Sequence, residues 1–233
     1  MFRLFGLVLS LLVMCFAAEA NAGRRIALVI GNSSYAKVGK LPNPANDARL
    51  ISKSLEATGF EVKLVIDTDQ PTMKRAMLDF GRDLREGVDA SVFYYAGHGV
   101  QVKGENYLVP VDADISSETE VQLQTVSVNE FLNVMENSAS KVNIVILDAC
   151  RNNPFAGASR GIDRGLASVI APRGTYIAYA TAPGEVARDG TGANSPYTLA
   201  LAEVMTEPGV KLEDTFKKAR ERVLKATKDA QVP

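Results

Sequence analysis

Histidine and cysteine are scarce in this sequence. The 233 residues contain one histidine, His98, and two cysteines, Cys15 and Cys150. No spacing of these residues matches a zinc site, which usually needs four Cys or His ligands in structural proteins. The sequence also lacks the glycine-rich loop that binds nucleotide phosphates, and it has no internal repeat. These absences exclude the zinc-finger, P-loop and repeat-protein classes.

An excess of charge of one sign is also absent. The sequence has 26 basic and 27 acidic residues, a formal net charge of -1. Proteins that bind nucleic acid or an anionic membrane through charge carry a basic excess, so neither is expected as a partner. The contents of 46% hydrophobic and 23% charged residues are typical of soluble globular proteins. The length indicates one domain or two small ones.

The only long hydrophobic run lies at the N-terminus. Arg3 precedes an apolar stretch over residues 4–18, which is shorter than the about 20 residues of a membrane-spanning helix. Small residues follow, with cleavage expected near Ala20 or Ala22. This pattern predicts a signal peptide over residues 1–22 and an exported protein, periplasmic or secreted, that is not held at a membrane. A retained N-terminal anchor is the alternative.

Removal of residues 1–22 would leave Cys150 as the only cysteine. An intrachain disulfide is then impossible. A lone thiol in an exported protein indicates either pairing between chains or a reactive cysteine.

The hydrophobic pattern alternates between strands and helices. Strands are predicted at 25–31, 60–66, 89–95, 105–110, 142–147 and 174–180, and helices after a cap at Asp47 and at 72–84, 127–135, 197–205 and 212–225. This order predicts a mostly parallel sheet covered on both faces. His98 and Cys150 follow two central strands, at the edge of the sheet where such proteins bind ligands.

A cysteine and a histidine at one edge indicate nucleophilic catalysis. His98 would act as the base that raises the thiolate fraction of Cys150, and the N–H groups of Gly99 and Cys150 would form an oxyanion hole. Gly97 and Gly99 would leave room for a substrate backbone. The alternative is structural: Cys150 is a small buried hydrophobic residue, and His98 satisfies a turn.

Asp148 precedes Cys150 by two residues, so the two share a face if the chain is extended there. A carboxylate close to the thiol would oppose thiolate formation. Asp148 is therefore predicted to form the floor of a pocket for an Arg or Lys side chain of the substrate. Asp112 and Asp114 lack further acids at ligand spacing, and no metal site is predicted.

Five motifs occur in order over about residues 24–205. They are RIALVIGNSSY, LPNPANDARLISKSLEATGF, SVFYYAGHGVQVKGENYLVPVDA, NIVILDACRNNPF and ATAPGEVARDGTGANSPYTLAL. Together they resemble the bacterial caspase-like peptidases related to metacaspases and orthocaspases, in the caspase and gingipain clan. The separation of 52 residues between His98 and Cys150 agrees with the spacing of about 50 in caspases. The sequence Asp-Ala-Cys-Arg-Asn is closer to metacaspases.

The resemblance implies a caspase-like three-layer αβα sandwich with a mostly parallel central sheet over residues 23–233. A large-subunit-like part would span about 24–155, a linker loop about 156–173 and a small-subunit-like part about 174–233. It implies a thiol endopeptidase with Cys150 as nucleophile and His98 as base and then acid. A third catalytic residue and a cofactor are not implied, although activation by calcium stays open.

The resemblance also implies a protein or peptide substrate that is cleaved after Arg or Lys, with Asp148 shaping the pocket. A strand over about residues 176–181 would pair with the substrate backbone. Its candidate substrate-binding residues are Tyr179, Ala180 and Thr181. A protease that prefers Arg could also cut its own loops, and the candidate self-cleavage sites are Arg160, Arg164 and Arg188.

Two departures from the family pattern keep other functions open. The tripeptide Arg151-Asn152-Asn153 stands where metacaspases usually have His-Ser-Gly, so the pocket preference is open. A closing strand that the resemblance leads us to expect is not found before Pro233. A catalytically weak caspase-like binding or scaffold module is the alternative function. A flavodoxin-like nucleotide-binding domain is disfavoured, because the turn after the first strand lacks a glycine-rich loop.

Overall fold

The computed structural model describes residues 23–150, 162–163, 166–183, 185, 187–188 and 190–233. The predicted signal peptide and the candidate self-cleavage sites Arg160 and Arg164 lie outside the described residues. For Cys150 the structure describes the backbone.

A five-stranded parallel sheet forms the centre of the molecule. Its strands are β1 Arg25–Gly31, β2 Glu61–Ile66, β3 Ala90–Val102, β6 Val142–Cys150 and β8 Thr175–Tyr179, in the spatial order β2-β1-β3-β6-β8. Three short strands extend the far end of β3 as an antiparallel sheet. They are β4 Glu105–Leu108, β5 Val126–Ser127 and β7 Ile162–Asp163.

Helices cover both faces of the parallel sheet. They are α1 Pro44–Ala57, α2 Gln70–Asp83, α3 Glu118–Gln124, α4 Val128–Glu136, α5 Pro196–Met205 and α6 Leu212–Thr227. One core packs α2 and α4 against the sheet, and the other packs α1, α5 and α6 against the opposite face. The predicted three-layer α/β sandwich is therefore confirmed. None of the described helices is long and apolar enough to cross a membrane.

The alternation of side chains along β1 explains the two cores. Leu28 and Ile30 point to the α2 and α4 side, while Ala27 and Val29 point to the α1 and α5 side. Because both faces of the strand are covered, its sequence is a continuous apolar run rather than an alternating one.

The N-terminal ends of α4 and α1 can be compared with the sequence predictions. The side chain of Ser127 accepts a hydrogen bond from the N–H of Glu130 at 3.3 Å, so the first residue of the helix predicted over 127–135 is the N-cap of α4. The prediction that Asp47 caps α1 is wrong. That helix begins at Pro44, after Asn43, because proline fits the first position where no N–H partner is needed. Asp47 lies in the first turn of α1, and its carboxylate accepts hydrogen bonds from Asn194 and Ser195 near the start of α5.

Strand β3 is longer than predicted, and this changes where His98 lies. The sequence placed the end of the strand at Tyr95, but the strand runs on to Val102 because β4 and β7 pair with its second half. His98 is therefore inside β3, and Cys150 is the last residue of β6. Both still lie at the carboxyl-terminal edge of the parallel sheet.

Candidate active site

Adjacent strands place His98 beside Cys150. The parallel register of β3 and β6 pairs Ala96 with Asp148 and His98 with Cys150. Neighbouring strands lie about 4.8 Å apart, so the backbones of His98 and Cys150 are direct neighbours across the ladder. The side chain of His98 is buried, with 5% of the residue exposed.

The ring of His98 is held by a loop carbonyl. Its Nε2 atom lies 2.9 Å from the carbonyl oxygen of Gly39, in the loop between β1 and α1. A carbonyl only accepts hydrogen bonds, so Nε2 carries the hydrogen and the neutral ring has its lone pair on Nδ1. In this tautomer the imidazole can accept a proton at Nδ1. No pattern in the sequence indicated a role for Gly39, which is 59 residues away from His98.

The glycines on either side of His98 make room for protein atoms. A Cβ atom at Gly97, where φ is +154°, would lie 2.6 Å from the hydroxyl oxygens of both Tyr35 and Tyr95. A Cβ atom at Gly99 would lie 3.0 Å from side-chain atoms of Ala149 and Leu166. The space that the sequence analysis assigned to a substrate backbone is thus filled from within the fold.

Asp148 is a buried carboxylate that bonds to helix α5. Its Oδ2 atom accepts hydrogen bonds from the hydroxyls of Ser195 at 2.5 Å and Thr198 at 2.7 Å. The hydroxyl of Tyr94 is 3.5 Å from the same oxygen. Only 5% of Asp148 is exposed. Three hydroxyls therefore fix this carboxylate in position, two residues before Cys150.

A second buried carboxylate, Asp47, is connected to Asp148 through Ser195. The Oδ1 atom of Asp47 accepts the backbone N–H of Ser195 and the side-chain amide of Asn194, each at 2.9 Å. The Ser195 hydroxyl also accepts the N–H of Thr198 and so caps α5. Ser195 thus fixes the carboxylates of Asp148 and Asp47. Both negative charges lie near the edge of the sheet that carries His98 and Cys150.

The electrostatic effect of these acids is visible at two tyrosines. Burial, and then the negative charges of Asp148 and Asp47, raise the pKa of Tyr94 well above its ordinary value. Burial and the charge of Asp148 do the same to the pKa of Tyr197. Both phenols therefore keep their protons and stay neutral. Tyr94 and Tyr95 are both buried.

The three candidate substrate-binding residues lie at the end of β8 but in different situations. Tyr179 and Thr181 line a groove of about 530 Å³ between β8 and α6. Ala180 is fully buried: its N–H donates to the carbonyl of Leu147, and its own carbonyl accepts the side chain of Gln231. Those backbone groups are used within the fold, so the prediction that Ala180 pairs with a substrate is corrected. Tyr179 and Thr181 stay predictions.

Of the candidate self-cleavage sites, Arg188 is among the described residues. Arg188 is exposed, and its backbone N–H donates to the Gln231 side chain at 3.1 Å. Within the described ranges, no group of three or more His, Cys, Asp or Glu side chains could hold a metal ion.

Comparison with known proteins identifies the fold and its relatives. The model of the family described as "Caspase domain" matches residues 24–233. A solved structure of the Drosophila initiator caspase Dronc superposes with a TM-score of 0.62 at 15% identity, covering 86% of this chain and 73% of that chain. That identity supports likeness of the fold alone.

Two curated relatives are similar in sequence. The mucosa-associated lymphoid tissue lymphoma translocation protein 1 of Homo sapiens is 32% identical over 127 residues, and its Mus musculus homolog is 33% identical over 127 residues. Each match covers 54% of this chain but only 15% of the relative. The chain thus matches a small part of the length of these relatives.

Proposed function

The chain belongs to the caspase-domain family, and from this premise we propose that it is a cysteine endopeptidase with Cys150 as nucleophile and His98 as general base. The observation that carries the proposal is the strand register that pairs His98 with Cys150. The hydrogen bond from His98 Nε2 to the Gly39 carbonyl supports it, because the same contact leaves Nδ1 as the basic nitrogen.

The proposed reaction has two steps. His98 takes the thiol proton of Cys150, and the sulfur attacks the carbonyl carbon of the peptide bond. The N–H groups of Gly99 and Cys150 stabilise the resulting oxyanion. The C–N bond then breaks, the imidazolium gives its proton to the leaving nitrogen, and a thioester remains on Cys150. A water molecule that His98 deprotonates hydrolyses the thioester and restores the thiol.

The proposed substrates have Arg or Lys before the cleaved bond. Two buried carboxylates, Asp148 and Asp47, support this preference because they lie behind the catalytic edge and would attract a cationic side chain. Ser195 fixes both acids, so the negative charge is in place before substrate arrives. Tyr179 and Thr181 would contact the substrate beside this pocket.

A peptide-cleavage assay tests the proposal. The domain from Gly23 onward is incubated with three fluorogenic peptides that differ only in Arg, Lys or Asp before the cleaved bond, with Cys150→Ala as the matched control. Cleavage after Arg or Lys that disappears in Cys150→Ala supports both the peptidase and the pocket. Cleavage only after Asp would reject the acidic pocket. No cleavage, and no labelling of Cys150 by a thiol probe, would favour a binding or scaffold module.

The same assay tests the cofactor prediction. We propose that catalysis needs no cofactor, while activation by calcium stays open. Parallel reactions with a chelator and with added calcium separate the two cases. Activity that survives the chelator supports catalysis without a cofactor, and activity that appears only with calcium would show that calcium activates the protein.

Two further proposals concern processing. We propose export after cleavage near Ala20 or Ala22, which N-terminal sequencing of the protein from cell fractions would test.

We also propose self-cleavage after Arg160, Arg164 or Arg188. Intact mass after incubation tests this second proposal, with Cys150→Ala as the control. Fragments in the active protein alone support self-cleavage, and an unchanged mass rejects it.

A further inference from the structure

Two tyrosine hydroxyls bind the backbone of His98 on both sides. The N–H of His98 donates to the Tyr35 hydroxyl oxygen at 2.7 Å, and the Tyr95 hydroxyl donates to the His98 carbonyl at 2.8 Å. The two hydroxyl oxygens are 3.4 Å apart. All three residues are buried. One peptide segment is therefore held through both its donor and its acceptor.

These hydrogen bonds lie at the point along β3 where the pairing with β1 ends and the pairing with β4 begins. The pairing of β1 with β3 ends at Gly31 and Ala96, and the pairing of β4 with β3 begins at Gly99. His98 lies between these two ladders, and its N–H would be left without a strand partner. A buried N–H that is not bonded is costly, and the Tyr35 hydroxyl supplies the missing acceptor.

The same tyrosines also restrict the ring and the preceding residue. The ring of Tyr35 packs against the imidazole of His98, with centroids 4.5 Å apart. The hydroxyls of Tyr35 and Tyr95 occupy the space next to Gly97 where a side chain would be. The Tyr95 hydroxyl oxygen also lies 3.0 Å from the carbonyl oxygen of Val109, so its single hydrogen is shared between the two carbonyls and the pair is connected to the chain after β4.

We propose that Tyr35 and Tyr95 are positioning residues that fix the backbone and ring of His98 relative to Cys150, and so act on the chemical step rather than on substrate binding. This inference rests on the proposed peptidase function. A base that is misplaced by about 1 Å can lose on the order of 100-fold in rate. Both tyrosines would act through the backbone and ring of His98, so they are positioning residues rather than catalytic residues.

The test replaces each hydroxyl without changing the ring. We expect Tyr35→Phe and Tyr95→Phe to lower kcat about 10- to 100-fold while KM changes less than about twofold. The matched control is Tyr107→Phe, because the buried Tyr107 hydroxyl donates to Glu105 at 2.8 Å and does not contact His98. This control should keep the wild-type kcat. Loss of activity in the control equal to that in the other two variants would overturn the inference.

A spectroscopic readout separates this inference from the proposed function. His98 is the only histidine, so selective nitrogen-15 histidine labelling reports on this ring alone. We expect the wild type to show one tautomer with the hydrogen on Nε2, and both Phe variants to show shifted or mixed tautomer signals. Signals that stay at the wild-type positions in both variants would overturn the positioning role. If the wild type cleaves no peptide, these signals still decide the inference, while the peptidase proposal fails.

Thermal unfolding accompanies each variant. A folded variant should melt cooperatively within about 10 °C of the wild type, because it loses the contacts of a single hydroxyl group and keeps the ring. If one tyrosine variant does not fold, the other carries the test, since each hydroxyl bonds a different backbone group of His98.

Discussion

The hydroxyl oxygen of Ser195 lies 2.5 Å from Oδ2 of Asp148. This single contact joins the start of helix α5 to the residue two positions before the proposed nucleophile. It also explains how a charged side chain can be buried at the end of β6, because a buried carboxylate is stable only when donors surround it.

Replacing Ser195 with alanine should destabilise the fold more than the loss of an ordinary helix cap. The variant loses a cap on α5 and a donor to a buried carboxylate, which together should cost about 2–4 kcal/mol of unfolding free energy. Urea unfolding measures the loss. Ser127→Ala is the matched control, since Ser127 caps α4 and should cost only about 1 kcal/mol. Equal losses in the two variants would contradict a special role of the Asp148 contact.

Asp148→Asn should weaken the preference for basic substrates. Asparagine keeps the shape of the side chain but removes its charge, so kcat/KM for an Arg peptide should fall about 10- to 100-fold. The same ratio for a peptide with a neutral residue at that position should change little. Asp69→Asn serves as the control, because Asp69 caps helix α2 and asparagine is an equally good cap. A uniform decrease for all peptides would argue against a charge-recognising pocket.

Gly97→Ala should disrupt both stability and activity. Its Cβ atom would collide with the hydroxyls of Tyr35 and Tyr95, and the backbone would be strained at a φ of +154°. We expect a loss of about 2–4 kcal/mol, measured by chemical unfolding. Gly104→Ala separates the two causes, because Gly104 also has a positive φ but has no atom within 4 Å of its Cβ position. That variant should lose only about 1 kcal/mol.

Asp67 predicts a pH dependence of stability. Burial acts to raise the pKa of Asp67, but hydrogen bonds from Ser33 and Ser34 outweigh it and hold the pKa below the ordinary 3.8. A lowered pKa in the folded state adds stability that is complete above 3.8 and is lost as pH falls through the folded value. Asp67→Asn should therefore be less stable than the wild type at pH 7, by about 1 kcal/mol.

The difference between Asp67→Asn and the wild type should shrink below about pH 4. Urea unfolding of both proteins at several pH values from 2 to 7 would measure this difference in unfolding free energy. Asp83→Asn serves as the control, because Asp83 is exposed and the substitution again replaces one carboxylate by an amide. A difference that stays constant with pH would show that the charge of Asp67 is not the cause.

Local patterns were sufficient for most of the fold. The apolar runs of β1 and β6 and the apolar stripes of α2 and α4 each contain enough buried residues to be recognised from sequence. Helix α3 was missed because Val121 is its only buried residue, so no hydrophobic stripe exists to detect. The length of β3 was missed because its second half depends on pairing with β4 and β7, which the strand's own sequence does not encode.

The candidate site also contains residues that the sequence pattern predicted and residues that it missed. His98 and Cys150 were predicted because His98 is the only histidine, Cys150 is the only cysteine after the predicted signal peptide, and each follows an apolar strand. The residues that hold His98 and Asp148 were missed, because these contacts join distant parts of the chain. Tyr35 is 63 residues from His98, and Ser195 is 47 residues from Asp148. Such contacts leave no periodic signal in the sequence and become visible only when the chain is folded.

The contact between His98 and Gly39 should make the site and the sheet respond differently to heat. Cys150 ends a central strand of the sheet, whereas Gly39 lies in an exposed loop that can open locally at a lower free-energy cost than the sheet. Warming should release the imidazole while the strands remain paired. The proposed peptidase would then lose turnover reversibly at a temperature below its cooperative melting point, and its working range would be set by one loop rather than by its core.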